Sequence, residues 1–197
     1  MTLAAITIRP PWSWAIAEAA ALTALGITPK LVENRGQRIA DRHIGQRIAI
    51  HAGQTWCTVG ERDSHINEAW HEFANAIDLR KPNPKLAAIG DTRTGYVGRL
   101  QPSPHLWMDC GAVVAVATLT GCHQADQSND VFTCCWPWGQ REYVSPSKVG
   151  PAWHLVLADV QRLAEPVPCR GQVRVPWELP EAAADAVHAQ LDAVVAR

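Results

Sequence analysis

The sequence predicts an α+β fold: a small, mostly antiparallel β-barrel with flanking helices and two long insertions. Three observations predict it. Short runs suited to strands recur over residues 3–8, 30–35, 46–52, 111–120 and 153–163. Helical spacing is confined to three stretches, at 11–25, 63–79 and near the C-terminus. The remaining sequence is irregular and rich in Pro and Gly, as in a barrel decorated by loops and a few helices.

Residues 3–8 form an apolar run that suits a buried first strand, ending at Arg9. Pro10 and Pro11 stop it, and proline at the first turn of a helix gives up an N–H that has no partner there. A helix is therefore expected from about Trp12 to Leu25, with Gly26 as its C′ residue. Lys30-Leu-Val-Glu-Asn-Arg35 follows, placing an amine, a carboxylate, a carboxamide and a guanidinium within six residues. Val32 favours an extended backbone. Alternation along a strand then puts Glu33 and Arg35 on one face and Val32 and Asn34 on the other, with Lys30 at the mouth, able to turn towards Glu33. Taken alone, these residues also describe a solvated edge with a surface ion pair worth under about 1 kcal/mol.

Residues 46–52 read as a strand with Ile48 and Ile50 on one face and His51 on the other. A histidine there is either a structural hydrogen-bonder or a ligand contact. From Asp63 to Leu79, Ile66, Ala69, Trp70, Phe73, Ala74 and Ile77 recur at helical spacing, with Asp63 or Ser64 as cap. Residues 80–109 read as a long connection with a helical turn at Leu86–Ile89. Residues 111–120 are the clearest buried strand, and 123–150 are a second irregular stretch carrying Trp136 and Trp138 on a Pro-Gly loop, read first as packed over the barrel and otherwise as the best candidate for a lid. Trp153 to Leu163 is a further strand, ended by the two prolines of Glu165–Pro168. Cys169-Arg170-Gly171 reads as a tight turn, Pro176–Pro180 as a short extended piece, and Ala184, Val187, Leu191 and Val194 as the apolar stripe of a C-terminal helix. One domain over residues 1–180, with insertions at about 54–109 and 123–150 and a helix at 181–197 packed on it, fits a chain of 197 residues.

Composition narrows the function. The formal charge of −1 supplies no protein-wide field for holding duplex DNA or a membrane surface. Any nucleic-acid contact is local, and Lys30, Arg35, Arg38, Arg42 and Arg47 form a candidate positive patch. Nine tryptophans against two tyrosines and two phenylalanines provide planar faces for stacking as well as core. The six cysteines contain no C-x-x-C, and no apolar run is long enough to span a bilayer, which reads as a cytoplasmic protein with reduced thiols. No metal ligands and no cofactor are assigned. Around Cys122-His123, Cys134-Cys135 and Cys110, a zinc-stabilised interaction module is the third alternative, against which stands spacing unlike that of a ribbon or finger.

Several pieces together resemble one family. Ile6-Thr-Ile-Arg-Pro-Pro-Trp12 is similar to the opening of ASCH domains, of the PUA-like superfamily. Lys30-x-x-Glu33-Asn34-Arg35 resembles that family's signature lysine, glutamate and arginine, and Ile48–Ala52, Gly111–Thr120, and Trp153 with Cys169-Arg170-Gly171 and Trp177 resemble its later strands. The resemblance covers roughly residues 3–53 and 111–180. It implies a PUA-like barrel with a polar cleft for RNA, single-stranded nucleic acid or a modified nucleotide, lined by Arg9, Trp12, Lys30, Glu33 and Arg35. Asn34, His51, Trp153 and Arg170 are further candidate contacts. The residue types suit such a ligand, with cations for phosphate, a carboxylate for an exocyclic amine and an indole for stacking. The alternative within the family is a hydrolase, a ribonuclease or an amidohydrolase on acetylated cytidine, using Lys30 as base or nucleophile and Glu33 as proton shuttle. The amidohydrolase subgroup carries a Thr near the position of Glu33, which favours binding as the first reading.

Overall fold

A computed structural model describes residues 2–76, 96–97, 101–102, 108–127, 134–145 and 148–195. The strands are β1 (Ala4–Ile8), β2 (Val32–Arg35), β3 (Arg47–Ala52), β4 (Tyr96–Val97), β5 (Gln101–Pro102), β6 (Ala112–Gln124), β7 (Glu142–Ser145), β8 (Lys148–Pro151), β9 (Trp153–Pro168) and β10 (Trp177–Glu178). The helices are α1 (Trp12–Ala17), α2 (Ala19–Ala24), α3 (Thr58–Glu61), α4 (Ser64–Ala76) and α5 (Glu181–Val195).

Six strands form one sheet in the order β10-β1-β3-β6-β9-β2, antiparallel except for the β1–β3 pair. The sheet is open, which corrects the expected closed barrel. Among the described residues β10 covers only Ala4 and Ala5 of β1, and β2 pairs only with β9. The Arg35 side chain bridges β2 and β1, its Nη2 donating to the Thr7 carbonyl at 2.5 Å.

Alternation along the strands sorts the apolar residues onto two faces. Ile6, Ile8, Ile48, Ile50, Leu155 and Leu157 pack with Ile16 and Ala17 of α1 on one side. Ala5, Ala49, Val113, Val116 and Trp177 pack with Ala183, Ala184 and Val187 of α5 on the other. Val194, placed in the helix stripe by spacing, is exposed beyond the end of that contact. A third cluster joins Trp14 and Leu22 to Ile66, Ala69 and Trp70 of α4 and to Val32 and Trp138. There the Trp14 and Trp70 rings meet edge to face at 5.5 Å. Asp63 caps α4 as its position predicts, accepting from the amides of His65 and Ile66 at 3.0 and 3.1 Å.

The structure departs from these expectations at several element ends. The helix expected over 11–25 breaks at Glu18, whose carboxylate lies 3.0 Å from Arg162 Nη1; Gly26 still ends the second half, with φ of +78°. β9 continues past Leu163 through Pro166 and Pro168, because beyond Val156 its outer edge has no strand partner among the described residues and a proline there costs no ladder bond. β6 runs four residues past Thr120, and β7 and β8 pair as a hairpin within 142–151, where irregular chain was expected. The helical turn expected at Leu86–Ile89 and the last turn of the 63–79 helix lie outside the described residues. Among the described residues no helix is long and apolar enough to cross a membrane.

Candidate functional site

β2 is the floor of a cavity of about 430 Å³. Arg9, Trp12, Lys30, Glu33, Asn34 and Arg35, all named from the sequence, line it. Trp12 arrives from the Pro10-Pro11 corner that starts α1, and β2 delivers the polar residues from the opposite edge of the sheet. Glu33 and Arg35 share a face as alternation requires, with Arg35 Nε 3.1 Å from Glu33 Oε1. Both are largely shielded from solvent, so the pair is not the solvated edge that the six residues alone also allowed.

Lys30 is the group that sets the chemistry of this cavity. It is only 1% exposed, and its Nζ donates to the Val32 carbonyl. The amine sits 5.3 Å from the Trp12 ring centre and 5.8 Å from that of Trp138, between two indole faces that favour a cation. Burial nevertheless dominates and pushes its pKa below the ordinary lysine value, against the opposing pull of Glu33 and Asp63.

Asn34 serves as a brace. Its Nδ2 donates to the Trp138 carbonyl and its Oδ1 accepts from the Gln140 amide, each at 2.9 Å. These bonds fasten residues 138–140 against β2 and place Gln140 in the cavity wall. Trp138 is buried, donates to the Thr28 carbonyl at 3.1 Å and packs in the helical cluster, so it is part of a packed loop and not a lid. Trp136 is exposed, with its ring edge to face with His65 at 5.4 Å.

Three candidate contacts fall elsewhere. His51 does not line the cavity; it is 1% exposed and donates from Nε2 to the Cys169 carbonyl at 3.0 Å. Its ring fills the space over Gly171, where a Cβ would collide with it, so His51 is structural. Trp153, paired with Arg35 in the β2–β9 ladder, and the exposed Arg170 do not line the cavity either. The expected five-residue basic patch is divided: Lys30 and Arg35 face this cavity, while Arg42 and Arg47 line a second recess with Arg174, and Arg38 pairs with Asp41.

Sequence reasoning missed Thr7, Cys57, Gln140, Tyr143 and Ser145 in the lining. Two glycines carried a signal for the walls. A Cβ on Gly36 would come within 2.5 Å of the Tyr143 ring, and one on Gly60 within 2.8 Å of Trp12. Close approach of an aromatic ring is one reason a chain keeps glycine, but neither glycine names its partner.

A second polar cluster lies behind the 138–140 wall. His123, Cys134, Cys135 and His154 bring one donor atom each to within 4.8 Å of one another. Of the zinc grouping expected as an alternative, Cys122 does not join, since neighbours on a strand point to opposite faces: Cys122 packs against the core and His123 takes the outer face. Cys110 instead lies against the Met108 carbonyl.

No protein-family model matches the chain, and no curated protein matches it. Among solved structures it is similar to the crystal structure of a point mutant of the ZmASCH protein from Zymomonas mobilis. The two share 15% identity over 96% of this chain and 98% of that one, with a TM-score of 0.44. At that similarity the likeness transfers no activity to this chain.

Proposed function

We propose that the cleft over β2 binds a nucleotide unit of RNA, of other single-stranded nucleic acid, or a free modified nucleotide, as ASCH-like domains of the PUA superfamily are expected to do. One observation carries this reading: Lys30, Glu33, Arg35 and Trp12 line a single recess. Its volume falls in the range of small-ligand sites, roughly 300–1,000 Å³. Arg35 and Arg9 supply cationic donors for a phosphate or an anionic base edge. Glu33 accepts from an exocyclic amine, and the Trp12 indole stacks on a base turned out of a strand. The near-neutral chain supports a local grip on one unit in place of long-range attraction to a duplex.

Anisotropy titrations with a short labelled RNA strand, the matching DNA strand and modified nucleosides as competitors test this. Lys30→Met and Glu33→Gln are expected to weaken binding by about tenfold or more, or roughly 1.4 kcal/mol each, in a protein that still folds. Unchanged affinity in both variants contradicts the reading.

The buried, depressed Lys30 amine supports a second reading, hydrolysis at the same site. A lysine whose pKa is lowered by burial gives up its proton more readily and can serve as base or nucleophile, with Glu33 carrying protons. Incubation with acetylated cytidine and with single-stranded RNA decides it: turnover abolished by Lys30→Met supports hydrolysis, and no turnover of either leaves binding alone.

A further inference from the structure

We infer that His123, Cys134, Cys135 and His154 form a tetrahedral site for a structural zinc ion that fastens the 134–140 segment to the sheet. The two histidines stand directly opposite each other in the β6–β9 ladder, their ring centres 5.2 Å apart. The two cysteines open the turn that runs over them, where the Cys135 carbonyl accepts from the Trp138 and Gly139 amides.

The hydrogen bonds fix which ring nitrogens are available. The Gln140 carbonyl lies 2.8 Å from His154 Nε2, and the Gln124 carbonyl 3.0 Å from His123 Nδ1. A carbonyl only accepts, so both of these nitrogens carry the proton. The other two, His154 Nδ1 and His123 Nε2, are left with free lone pairs. Each faces a different sulfur at 3.4 Å, Cys134 for His154 and Cys135 for His123. A zinc ion with bonds of about 2.3 Å to sulfur and about 2.05 Å to nitrogen sets tetrahedral S···N edges of about 3.6 Å. A histidine that spends its second N–H on a backbone carbonyl is the usual outer arrangement around a bound metal, and here both histidines have it.

Two thiols and two imidazoles favour zinc over the oxygen-seeking Mg²⁺ and Ca²⁺, and four protein ligands leave no open position for catalysis. On binding, both thiols become thiolates and their two protons pass to solvent. The ion then joins β6, β9 and the turn, and the Gln140 it steadies through His154 is part of the cleft wall. The site stands whether or not that cleft takes a nucleotide.

Elemental analysis of untagged protein purified without chelator, with cobalt exchange followed by absorbance, tests the site. About one zinc per chain is expected, and cobalt is expected to give the sulfur-to-metal band and the strong visible bands of a tetrahedral thiolate site. Cys134→Ser with Cys135→Ser should abolish both, while Cys110→Ser and Cys122→Ser should leave both intact. Should the double variant not fold, the cobalt spectrum of the wild-type chain decides. A metal-free protein that gives no thiolate band with cobalt, or a zinc content unchanged by the double substitution, overturns the site.

Discussion

Arg35 and Thr7 belong to strands that do not pair, and the Arg35 guanidinium joins them through the Thr7 carbonyl. The same side chain holds Glu33 in the cleft. Arg35→Lys keeps the charge but lacks the planar fork needed to reach both partners. Since a hydrogen bond to a charged group contributes about 1.5–3 kcal/mol, and this side chain is partly exposed, Arg35→Met is expected to cost about 1–2 kcal/mol by chemical denaturation. Arg35→Lys should recover little of it. Full recovery would show that charge alone suffices.

Gly36 is where β2 gives way to the Tyr143 ring. Gly36→Ala puts a methyl 2.5 Å from that ring and must displace it from the cleft wall. The expected outcome is a several-fold weaker ligand affinity that Gly36→Ala/Tyr143→Leu partly restores. An alanine variant that binds as the wild type does would place Tyr143 outside the recognition surface.

Asn34→Ala leaves the Gln140 amide without its acceptor and frees the wall it anchors. The loss is expected at about 1–3 kcal/mol, with hydrogen exchange rising at Gln140 and its neighbours before it rises in β6. Uniform acceleration over the whole sheet would mean that Asn34 supports the fold generally and not this segment.

His51 supplies part of the pH dependence, beside His154 and His43. Burial lowers its pKa below the ordinary histidine value, opposed by the bond to Cys169. The unfolded chain therefore binds the proton more readily than the folded one. The stability this residue contributes is complete above the unfolded pKa of about 6.5 and is lost as pH falls towards the folded value. His51→Gln should reduce the slope of the unfolding free energy across that acid window, the remainder coming from the other histidines shifted the same way. An undiminished slope would assign the effect to other groups.

The parts of the cleft carried by one short stretch were legible in the sequence. Lys30, Glu33, Asn34 and Arg35 sit in six consecutive residues whose alternation fixes their faces, and the double proline fixes where Trp12 begins its helix. What depended on distant pairing was not legible. His51 lies beyond the cleft because β3 turns that face towards Trp177, a contact set by β10 at the far end of the chain. Gln140 and Tyr143 come from a stretch with little periodicity, held in place by Asn34, Gly36 and His154. The His123–His154 pairing followed only from β6 running on past Thr120, where small and polar residues gave no apolar pattern to extend. The barrel expectation failed on the same ground, since closure depends on which edges pair, and here a guanidinium bridges strands that do not.

The most direct measurement is an NMR titration of isotope-labelled protein with a ribonucleoside 5′-monophosphate, read residue by residue. Shifts are predicted at the amides of Glu33 to Gly36 and Gln140 and at the Trp12 indole, with Arg42, Arg47 and Arg174 around the second recess unmoved. Shifts gathered around those three arginines, or none at millimolar nucleotide, would contradict a ligand site over β2.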